Sequence, residues 1–478
     1  MKLKQWAHQA KEFRIGRDKR ARALIWPMRS GKSKACIDKA DYQFEKGAIE
    51  GVIVIAPNGV HLNWARLEIP KHSISDSLAF TWSTPKRGDF EQIQKFEALL
   101  SHPGLKWFCI NMEALKHLDC RRDVRKFITS CHRKFMLVVS EAHHFGRPSS
   151  HRTYFARSLG RHAAFRQIET GTPILNSPLR AFSEYEILQP GALGFETYTK
   201  FCNRYVEFEK RPGKRFKQIK EYKNLFELRA ALAKWSSVVV RKDIHDMPEL
   251  IRIERHVVMS DVQRRAYLEM VNRHILEIGF NEVSAKDGGA RVQKLQQILN
   301  GYVMDTTTGT IMEVDAEAPI YTALLDEIEG TTPGKSLVWC RYHEDIRRVT
   351  AMLRGKHIPF VEYHGGITDI VKREEQRLRF NTDSRIEVCV GQPAAGGEGR
   401  DFSGADAVIF FSAVPNTVTM TQAEERATVK GGKKVAIVRI RTPGTVDDRI
   451  WDIIDGNVAM ADAISGTGLR DLLLRTDI

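Results

Sequence analysis

The chain has 478 residues, a length that suggests two to four domains. Its hydrophobic content of 42% is ordinary for a globular protein, and no low-complexity tract or internal repeat interrupts it. Lys and Arg total 74 against 59 acidic residues, giving a formal net charge of +15. This surplus favours a polyanionic partner, and composition alone leaves a solvated basic surface equally acceptable.

Three classes of protein are excluded by simple patterns. The seven cysteines form no CxxC pair and no zinc spacing, so we expect free thiols in a reducing compartment and no structural zinc. The N-terminus has no apolar region typical of a signal peptide. No run of about 18 apolar residues occurs, so no membrane span is expected. We therefore expect a cytoplasmic protein.

In the first half of the chain, short apolar runs alternate with longer mixed segments. Buried strands are predicted at residues 23–26, 52–56, 107–110 and 135–139. Each run is followed by a turn or a plausible helix. The alternation predicts an α/β fold with a parallel sheet covered on both faces.

The same alternation returns in the second half. Strands are predicted at residues 336–340, 360–363, 387–390, 407–411 and 435–440. The chain is therefore predicted to contain two α/β units in tandem.

The region between the two units, residues 195–330, is rich in helix formers and charges. Residues 207–220 are strongly basic and broken by Pro212-Gly213, which predicts an exposed loop or hairpin. Residues 262–300 show helical spacing, interrupted at residues 286–289. We expect helical insertions here and no third sheet.

A phosphate-binding turn is predicted after the first strand, at Gly31-Lys32-Ser33. Backbone N–H groups of such a turn bind phosphate oxygens at a helix N-terminus. Lys32 would reach the outer phosphates, and Ser33 would be a ligand of Mg²⁺. Alone, the tripeptide is compatible with a chance loop, and its position between a strand and a helix favours the nucleotide site.

Two further residues fit a nucleotide site. Gln9 precedes the turn by about twenty residues, where an amide can read the adenine edge, although a surface glutamine explains it equally well. Glu141 follows the strand at 135–139, and a carboxylate there can orient a water for attack on the γ-phosphate.

These segments belong to a longer ordered series. It comprises residues 53–57 with Asn63, 110–114, 140–143, 170–173 with Asn176, 237–243, 338–341, 363–366, 391–399, 422–426 and 444–447. The series resembles the motifs of superfamily-two helicases, and more narrowly the Swi/Snf-type translocases of double-stranded DNA, in the compact form found in bacteriophages and bacteria. The resemblance covers nearly the whole chain.

The resemblance implies two tandem RecA-like lobes with ATP and Mg²⁺ between them and double-stranded DNA across both. Residues 1–243 would form the ATP-binding lobe one, with a helical and basic insertion at about 195–235. Residues 244–478 would form lobe two, with a helical insertion at about 260–330 and a bracing helix at about 447–478. No oligomer is indicated.

The resemblance also assigns residues to roles. The catalytic group comprises Lys32, Glu141, Gln422 and Arg426. The nucleotide would be bound by Gln9, Arg29, Ser30, Gly31, Lys32, Ser33 and Gly399, and the metal by Ser33, Ser140 and Glu141. Contacts to DNA are expected from Asn63, Asn111, Thr172, Lys214, Arg215, His364, Gly365 and Gly396. Such contacts to the backbone would be independent of base sequence, on duplex DNA that can be forked or branched.

Three residues depart from the family pattern. Trp26 replaces the first small residue of the phosphate-binding turn, Ser140 replaces the metal-associated aspartate, and Val429 replaces a second arginine three positions after Arg426. A serine brings no charge to Mg²⁺, which prefers one or two carboxylates. Despite these departures, the resemblance as a whole predicts an ATP-driven DNA translocase that acts in replication, recombination or repair. The alternatives are a slowly hydrolysing clamp on ATP and DNA, and an RNA or single-strand helicase of the same superfamily.

Overall fold

The structure, a computed structural model, describes residues 2–465 except 84–88, 172–176, 210–217, 249, 274, 279–280, 285–287, 306–307, 332, 395–399 and 430. The described chain divides into two compact units. The first comprises the residues up to His245 together with those from Asn457 onward, and the second lies within Asp246–Gly456. Each unit is built on one large parallel sheet.

The first unit contains nine strands. They are β1 (Ala21–Ile25), β2 (Gly51–Ala56), β3 (Ser77–Thr81), β4 (Leu105–Asn111), β5 (Phe135–Ser140), β6 (Phe165–Thr170), β7 (Val206–Glu209), β8 (Gln218–Tyr222) and β9 (Ser236–Val238). Seven of them form a sheet of order β3-β4-β2-β5-β6-β1-β9, in which every neighbouring pair is parallel. The remaining pair, β7 and β8, forms an antiparallel hairpin around the basic segment.

The helices of this unit connect the strands. They are α1 (Ala7–Gly16), α2 (Lys32–Glu45), α3 (Val60–Asn63), α4 (Ile69–His72), α5 (Phe90–Ser101), α6 (Leu118–Ser130), α7 (His151–His162), α8 (Arg180–Leu188), α9 (Tyr198–Tyr205) and α10 (Leu225–Ala233). Several begin at side chains that satisfy free backbone N–H groups, such as Asp89 at α5, Ser150 at α7 and Thr197 at α9. Short polar residues thus fix where these helices start.

The central strands are buried on both faces because their residues alternate between two apolar clusters. In β2, Ile53 and Ile55 pack into one cluster, which includes α6, and Val52 and Val54 pack into the other, which includes α2. All four side chains are completely buried. This arrangement explains why the strands read as continuous apolar runs.

The second unit contains ten strands. They are β10 (Leu250–His256), β11 (Ile275–Ile278), β12 (Asn281–Ser284), β13 (Tyr302–Met304), β14 (Ile311–Glu313), β15 (Ser336–Trp339), β16 (Phe360–Tyr363), β17 (Val388–Gly391), β18 (Ala407–Phe410) and β19 (Val435–Arg441). Six form a sheet of order β10-β19-β18-β15-β17-β16, again parallel throughout. The pairs β11–β12 and β13–β14 are antiparallel hairpins.

Seven helices complete the second unit. They are α11 (Asp261–Arg273), α12 (Gly288–Leu299), α13 (Pro319–Thr331), α14 (His343–Gly355), α15 (Ile370–Thr382), α16 (Thr417–Glu425) and α17 (Val446–Ser465). Strand β15 again alternates, with Leu337 and Trp339 in a cluster shared with α17 and Val338 in one shared with α14. The second sheet is therefore also covered on both faces.

The predicted α/β fold of two tandem RecA-like parallel sheets is confirmed, and all nine predicted strands are present within two residues of their expected ends. Strands β3, β6, β9 and β10 of the two sheets were not predicted. The expectation of helices alone within 262–300 is wrong, because the β11–β12 hairpin separates α11 from α12. The seven cysteines are buried free thiols. None of the described helices has the length and apolar character needed to cross a membrane.

Candidate nucleotide-binding site

Three neighbouring strands of the first sheet, β5, β6 and β1, bring the predicted nucleotide residues to one edge. In the parallel register Leu24 of β1 pairs with Glu169 of β6, and Glu169 pairs with Ser140 of β5. The phosphate-binding turn follows β1, and Glu141 follows β5. Ligands of open parallel sheets bind outside the carboxyl ends of the strands, so this edge is the candidate site.

The turn between β1 and α2 is shaped by its own backbone. Gly31 has a φ of +76°, a left-handed conformation that glycine adopts without strain. A Cβ atom at this position would lie 2.1 Å from Gln9 Nε2. The hydroxyl of Ser30 donates to the Pro27 carbonyl at 2.7 Å. Helix α2 then starts at Lys32, and the first N–H groups of a helix are available to phosphate oxygens.

Lys32 spans this turn. Its Nζ donates to the backbone carbonyls of Trp26 and Pro27, both at 3.1 Å. Ser33 and Arg29, which were also predicted to bind the nucleotide, are half-buried in the same turn, and Arg29 has a φ of +59°. A positive φ in a residue other than glycine is strained and is frequent at functional sites.

Gln9 packs beneath the turn. Its Nε2 donates to the carbonyls of Gly31 at 3.1 Å and Ser30 at 3.4 Å, and its Oε1 accepts from the backbone N–H of Trp6 at 2.8 Å. Both ends of the amide are therefore engaged by the protein, and Gln9 stabilises the turn. Its contact with adenine stays a prediction.

Trp26, the first departure from the family pattern, directs its bulk into the core. The side chain is fully buried, its indole N–H donates to Ser237 Oγ at 3.1 Å, and its ring lies 4.9 Å from that of His8. Only its backbone carbonyl faces Lys32. A large side chain here therefore leaves the phosphate-binding turn intact.

Glu141 is buried and ionised beside the turn. Its φ of +52° places it in the left-handed region, directly after β5. The ring Nδ1 of His143 lies 3.3 Å from its Oε2. Burial acts to raise the pKa of Glu141, but the interaction with His143 and the charge of Lys32 outweigh it and lower the pKa to about 2. The carboxylate is thus ionised at neutral pH and can accept hydrogen bonds.

His143 connects this carboxylate to the end of β6. Its Nδ1 also lies 3.2 Å from Thr170 Oγ1. A Cβ atom on Gly171 would lie 3.5 Å from the Trp26 carbonyl, so Gly171, directly after β6, adjoins the phosphate-binding turn. Thr172, which was predicted to contact DNA from this segment, lies outside the described residues.

Glu169 was not predicted from the sequence and lies at the centre of the site. It is 2% exposed, and its Oε2 accepts a hydrogen bond from Cys36 Sγ at 3.4 Å. Burial raises the pKa of Glu169 to about 7, although the Lys32 charge and a hydrogen bond from the Ser140 hydroxyl oppose the shift. The signal available in the sequence was a single acid directly before Thr170-Gly171.

A second buried carboxylate, Glu184 of α8, lies behind His143. Neither of its oxygens accepts a hydrogen bond from the described residues, and the residue is fully buried. Burial raises its pKa to about 6, although the charges of His143 and Arg180 oppose the shift. The ionised form of Glu184 therefore costs stability.

We expect Glu184→Met to stabilise the protein above pH 6. The folded pKa of Glu184 lies above the ordinary value of 4.5. The folded state thus binds its proton more tightly, and stability falls as pH rises from about 4.5 to 6. Removing the carboxyl is expected to recover on the order of 2 kcal/mol at pH 8 and less at pH 5. The midpoint of the first thermal transition, followed at both pH values, measures the gain.

A matched control stands on the same helix. The carboxylate of Glu186 is paired with Arg157 at 2.7 Å and accepts from the backbone N–H of Gly191 at 2.6 Å. Glu186→Met should therefore lower the midpoint at pH 8. A Glu184→Met protein that melts below the wild type at pH 8 would contradict the assignment.

The two predicted catalytic residues of the second unit lie about one helical turn apart. Gln422 is in α16, and Arg426 caps its C-terminus. Both are buried, and the guanidinium carbon of Arg426 lies 5.4 Å from the centre of the Trp339 ring. Val429, three residues on, is half-buried. Gly399, predicted to contact the nucleotide, is outside the described residues.

The predicted DNA-contacting residues fall into three groups. Asn63 and Asn111 are half-buried at the ends of α3 and β4, and Asn111 Oδ1 accepts from the Ala114 N–H at 2.7 Å. His364 and Gly365 follow β16, and Gly365 is exposed. Outside the described residues lie Thr172, Lys214, Arg215 and Gly396.

A divalent cation fits the chemistry of the first unit. Within the described ranges, no cluster of three or more His, Cys, Asp and Glu side chains forms a ready metal site. Mg²⁺, however, needs only one or two carboxylates besides phosphate and water oxygens. The hydroxyls of Ser33 and Ser140 and the carboxylate of Glu141 are oxygen donors, and Glu141 Oε2 is buried without a well-directed hydrogen bond. These residues would hold Mg²⁺ together with a bound nucleotide.

Comparison with known families agrees with this architecture. The SNF2-related domain matches residues 15–308, and the helicase conserved C-terminal domain matches residues 320–430. These two domains define a helicase-like ATPase. The chain belongs to the SNF2-related family.

Two of the relatives that it matches are longer proteins of eukaryotes. The TATA-binding protein-associated factor mot1 of Aspergillus fumigatus is 24% identical over 70% of this chain and 20% of its own length. Protein CHROMATIN REMODELING 19 of Arabidopsis thaliana is 24% identical over 74% and 54%. The chain spans about a fifth of the length of the mot1 relatives. A solved SWI2/SNF2 ATPase core of Sulfolobus solfataricus in complex with dsDNA is 18% identical, with a TM-score of 0.42, over 98% of this chain and 94% of its own.

Proposed function

We propose that the chain is an ATP-dependent translocase on double-stranded DNA that acts in replication, recombination or repair. The observation that carries the proposal is the meeting of Lys32 and Glu141 at the carboxyl edge of the first sheet, within a chain of the SNF2-related family. The charge of Lys32 acts on the Glu141 carboxylate, so a cation for phosphates and an ionised base lie in one site.

Each residue of the edge has a defined task in ATP hydrolysis. The left-handed Gly31 turn and the start of α2 offer N–H groups to the phosphates, and Lys32 balances their charge. The carboxylate of Glu141, kept ionised by its low pKa, accepts a hydrogen bond from the attacking water and orients it. A bound Mg²⁺ would supply charge neutralisation at the outer phosphates.

Duplex DNA is favoured by charge and by the family. The chain carries a formal net charge of +15. In the second unit a groove beside the predicted contact His364 is lined by further basic side chains, including His343, Arg347 and Arg354. Such groups bind phosphates without reading bases, so the proposed binding is independent of sequence.

The test is ATP turnover with a panel of nucleic acids. We expect duplex DNA to stimulate ATP turnover more than single strands or RNA do. Forked and branched duplexes should also stimulate turnover. The DNA concentration for half-maximal stimulation should rise by about 10³-fold between about 50 and 200 mM salt. A Glu141→Gln protein, prepared in parallel, controls for contaminating ATPases. Absence of stimulation by any duplex over a broad Mg²⁺ range would refute the proposal.

A slowly hydrolysing clamp on ATP and DNA is the second candidate. Ser140 and Val429 favour it, because neither side chain carries the charge that the family pattern has at its position. The clamp would bind ATP and duplex DNA as tightly as a translocase and turn over slowly.

A further inference from the structure

Ser140 does not stand alone at the end of β5. Its parallel partner on the next strand is Glu169, and the Ser140 hydroxyl donates a hydrogen bond to the Glu169 carboxylate. Strand β6, which carries Glu169, lies between β5 and β1, the strands that lead into Glu141 and the phosphate-binding turn. A carboxylate is therefore present beside the position where the family pattern has one and Ser140 has none.

The surroundings of Glu169 mark it as part of the phosphate site. It interacts electrostatically with Lys32 and with Glu141. Its other close contact is Cys36 of α2, whose Sγ lies 3.4 Å from Oε2 and accepts from Gln167 Nε2 at 2.8 Å. Among the described contacts, no arginine or second lysine pairs with this acid, and Lys32 of the phosphate-binding turn is the cation whose charge acts on it.

A buried carboxylate is costly unless a charge or hydrogen bonds compensate it. At Glu169 the compensation is incomplete, since the thiol of Cys36 is a weak donor and the Ser140 hydroxyl supplies one hydrogen bond and no charge. The adjacent Glu141 Oε2 is also buried without a well-directed hydrogen bond. Glu141 and Glu169 are thus neighbouring acids whose oxygens can accept further contacts. A divalent cation would be stabilised beside them.

We propose that Glu169 supplies the negative charge for the nucleotide-bound divalent cation that Ser140 cannot supply, so that the acidic group of the site stands on β6 instead of β5. The Ser140 hydroxyl then positions the Glu169 carboxylate or a cation-bound water. Glu169 is a positioning residue in this scheme. The inference rests on the proposed function, because it assumes a nucleotide bound at the turn after β1.

The test measures cation dependence of nucleotide binding in the full chain, apart from hydrolysis. A fluorescent ADP analogue is titrated with protein in EDTA and at a series of Mg²⁺ concentrations. For Glu169→Gln we expect the Mg²⁺ concentration for half-maximal enhancement to rise at least about tenfold, with affinity in EDTA unchanged. The Gln amide oxygen still accepts from Ser140 and Cys36, so the packing is kept.

Three further variants test the assignment. The double variant Ser140→Asp with Glu169→Gln returns the charge to β5 and should recover the wild-type Mg²⁺ dependence, whereas Ser140→Asp alone crowds three carboxylates and should not improve it. Glu186→Gln removes a buried charge elsewhere in the unit and should leave the dependence unchanged. Binding of Mn²⁺ to each protein–ADP complex, followed by electron paramagnetic resonance, should rank the variants in the same order as their Mg²⁺ dependence.

Failure of the inference about Glu169 and failure of the proposed function would give different results. If Glu169→Gln binds Mg²⁺ as the wild type does, or loses nucleotide affinity equally with and without Mg²⁺, the role of Glu169 is overturned and the proposed function stands. If Glu169→Gln does not fold, Ser140→Asp with Glu169→Gln must still show wild-type dependence for the inference to survive. If the wild type binds no nucleotide under any condition, the proposed function itself fails.

Discussion

Lys32→Ala is expected to weaken nucleotide binding at least about 100-fold and to reduce DNA-stimulated ATP turnover to background. Lys32 is the cation that interacts with both Glu141 and Glu169, and it bridges the carbonyls of Trp26 and Pro27. Truncating one partner of a hydrogen-bonded charge pair in a binding site, here the ammonium that faces the phosphates, costs about 3 kcal/mol, which corresponds to about 100-fold in affinity. Without Lys32, two carboxylates would also face the incoming phosphates. Calorimetric titration with ADP measures the loss.

The matched control is Lys46→Ala at the other end of α2. Lys46 is exposed, and its ammonium pairs with Asp18 at 3.0 Å, so its loss should leave nucleotide affinity unchanged. Thermal melting of both variants separates a local effect from unfolding. Wild-type affinity in a folded Lys32→Ala protein would remove the turn after β1 from consideration as the nucleotide site.

The fold was predictable where burial dominates the sequence. Strands such as β2 and β5 lie in the middle of a parallel sheet, so both faces need apolar side chains and the strand appears as an uninterrupted apolar run. The same reasoning fails for β6, whose buried residues include Gln167, Glu169 and Thr170. These polar side chains contribute to the candidate site. The strand therefore lacks the apolar run by which the other buried strands were predicted.

Three of the four edge strands, and the hairpins, escaped prediction for a different reason. Strands β3, β9 and β10 are bordered on one side only, so their residues are partly exposed and mix polar with apolar types. The β11–β12 hairpin interrupts two helices within a segment whose average spacing is helical. Tertiary pairing decided these elements, and local periodicity carries little of that information.

The candidate site was predictable in its parts and not in its connections. The sequence places Lys32 and Glu141 each after a strand, but only the strand order β5-β6-β1 brings them to one edge. The relation of Ser140 to Glu169 depends on the register of parallel strands, which connects residues far apart in the chain. The charge that is missing at Ser140 can therefore be supplied by a residue on the neighbouring strand.

The remaining departure from the family pattern is Val429, an apolar, half-buried residue. We expect Val429→Arg to raise DNA-stimulated ATP turnover at least about 10²-fold if the protein hydrolyses slowly, because an arginine at the γ-phosphate contributes about 10³–10⁵ in related phosphoryl transfers. Val429 is half-buried and lies outside any helix or strand, whereas Arg426 is buried, with its guanidinium carbon 5.4 Å from the centre of the Trp339 ring.

Steady-state turnover with saturating duplex DNA measures this effect, and Val429→Met is the control for size without charge. A gain for arginine and none for methionine would identify the wild type as a slow motor whose limit is the missing guanidinium. Equal and rapid turnover in all three proteins would show that hydrolysis does not require an arginine at position 429, and the clamp hypothesis would then lose its main support. Equal and slow turnover would instead shift the cause of slow hydrolysis to the cation site at Ser140 and Glu169, where the Mg²⁺ dependence tests it directly.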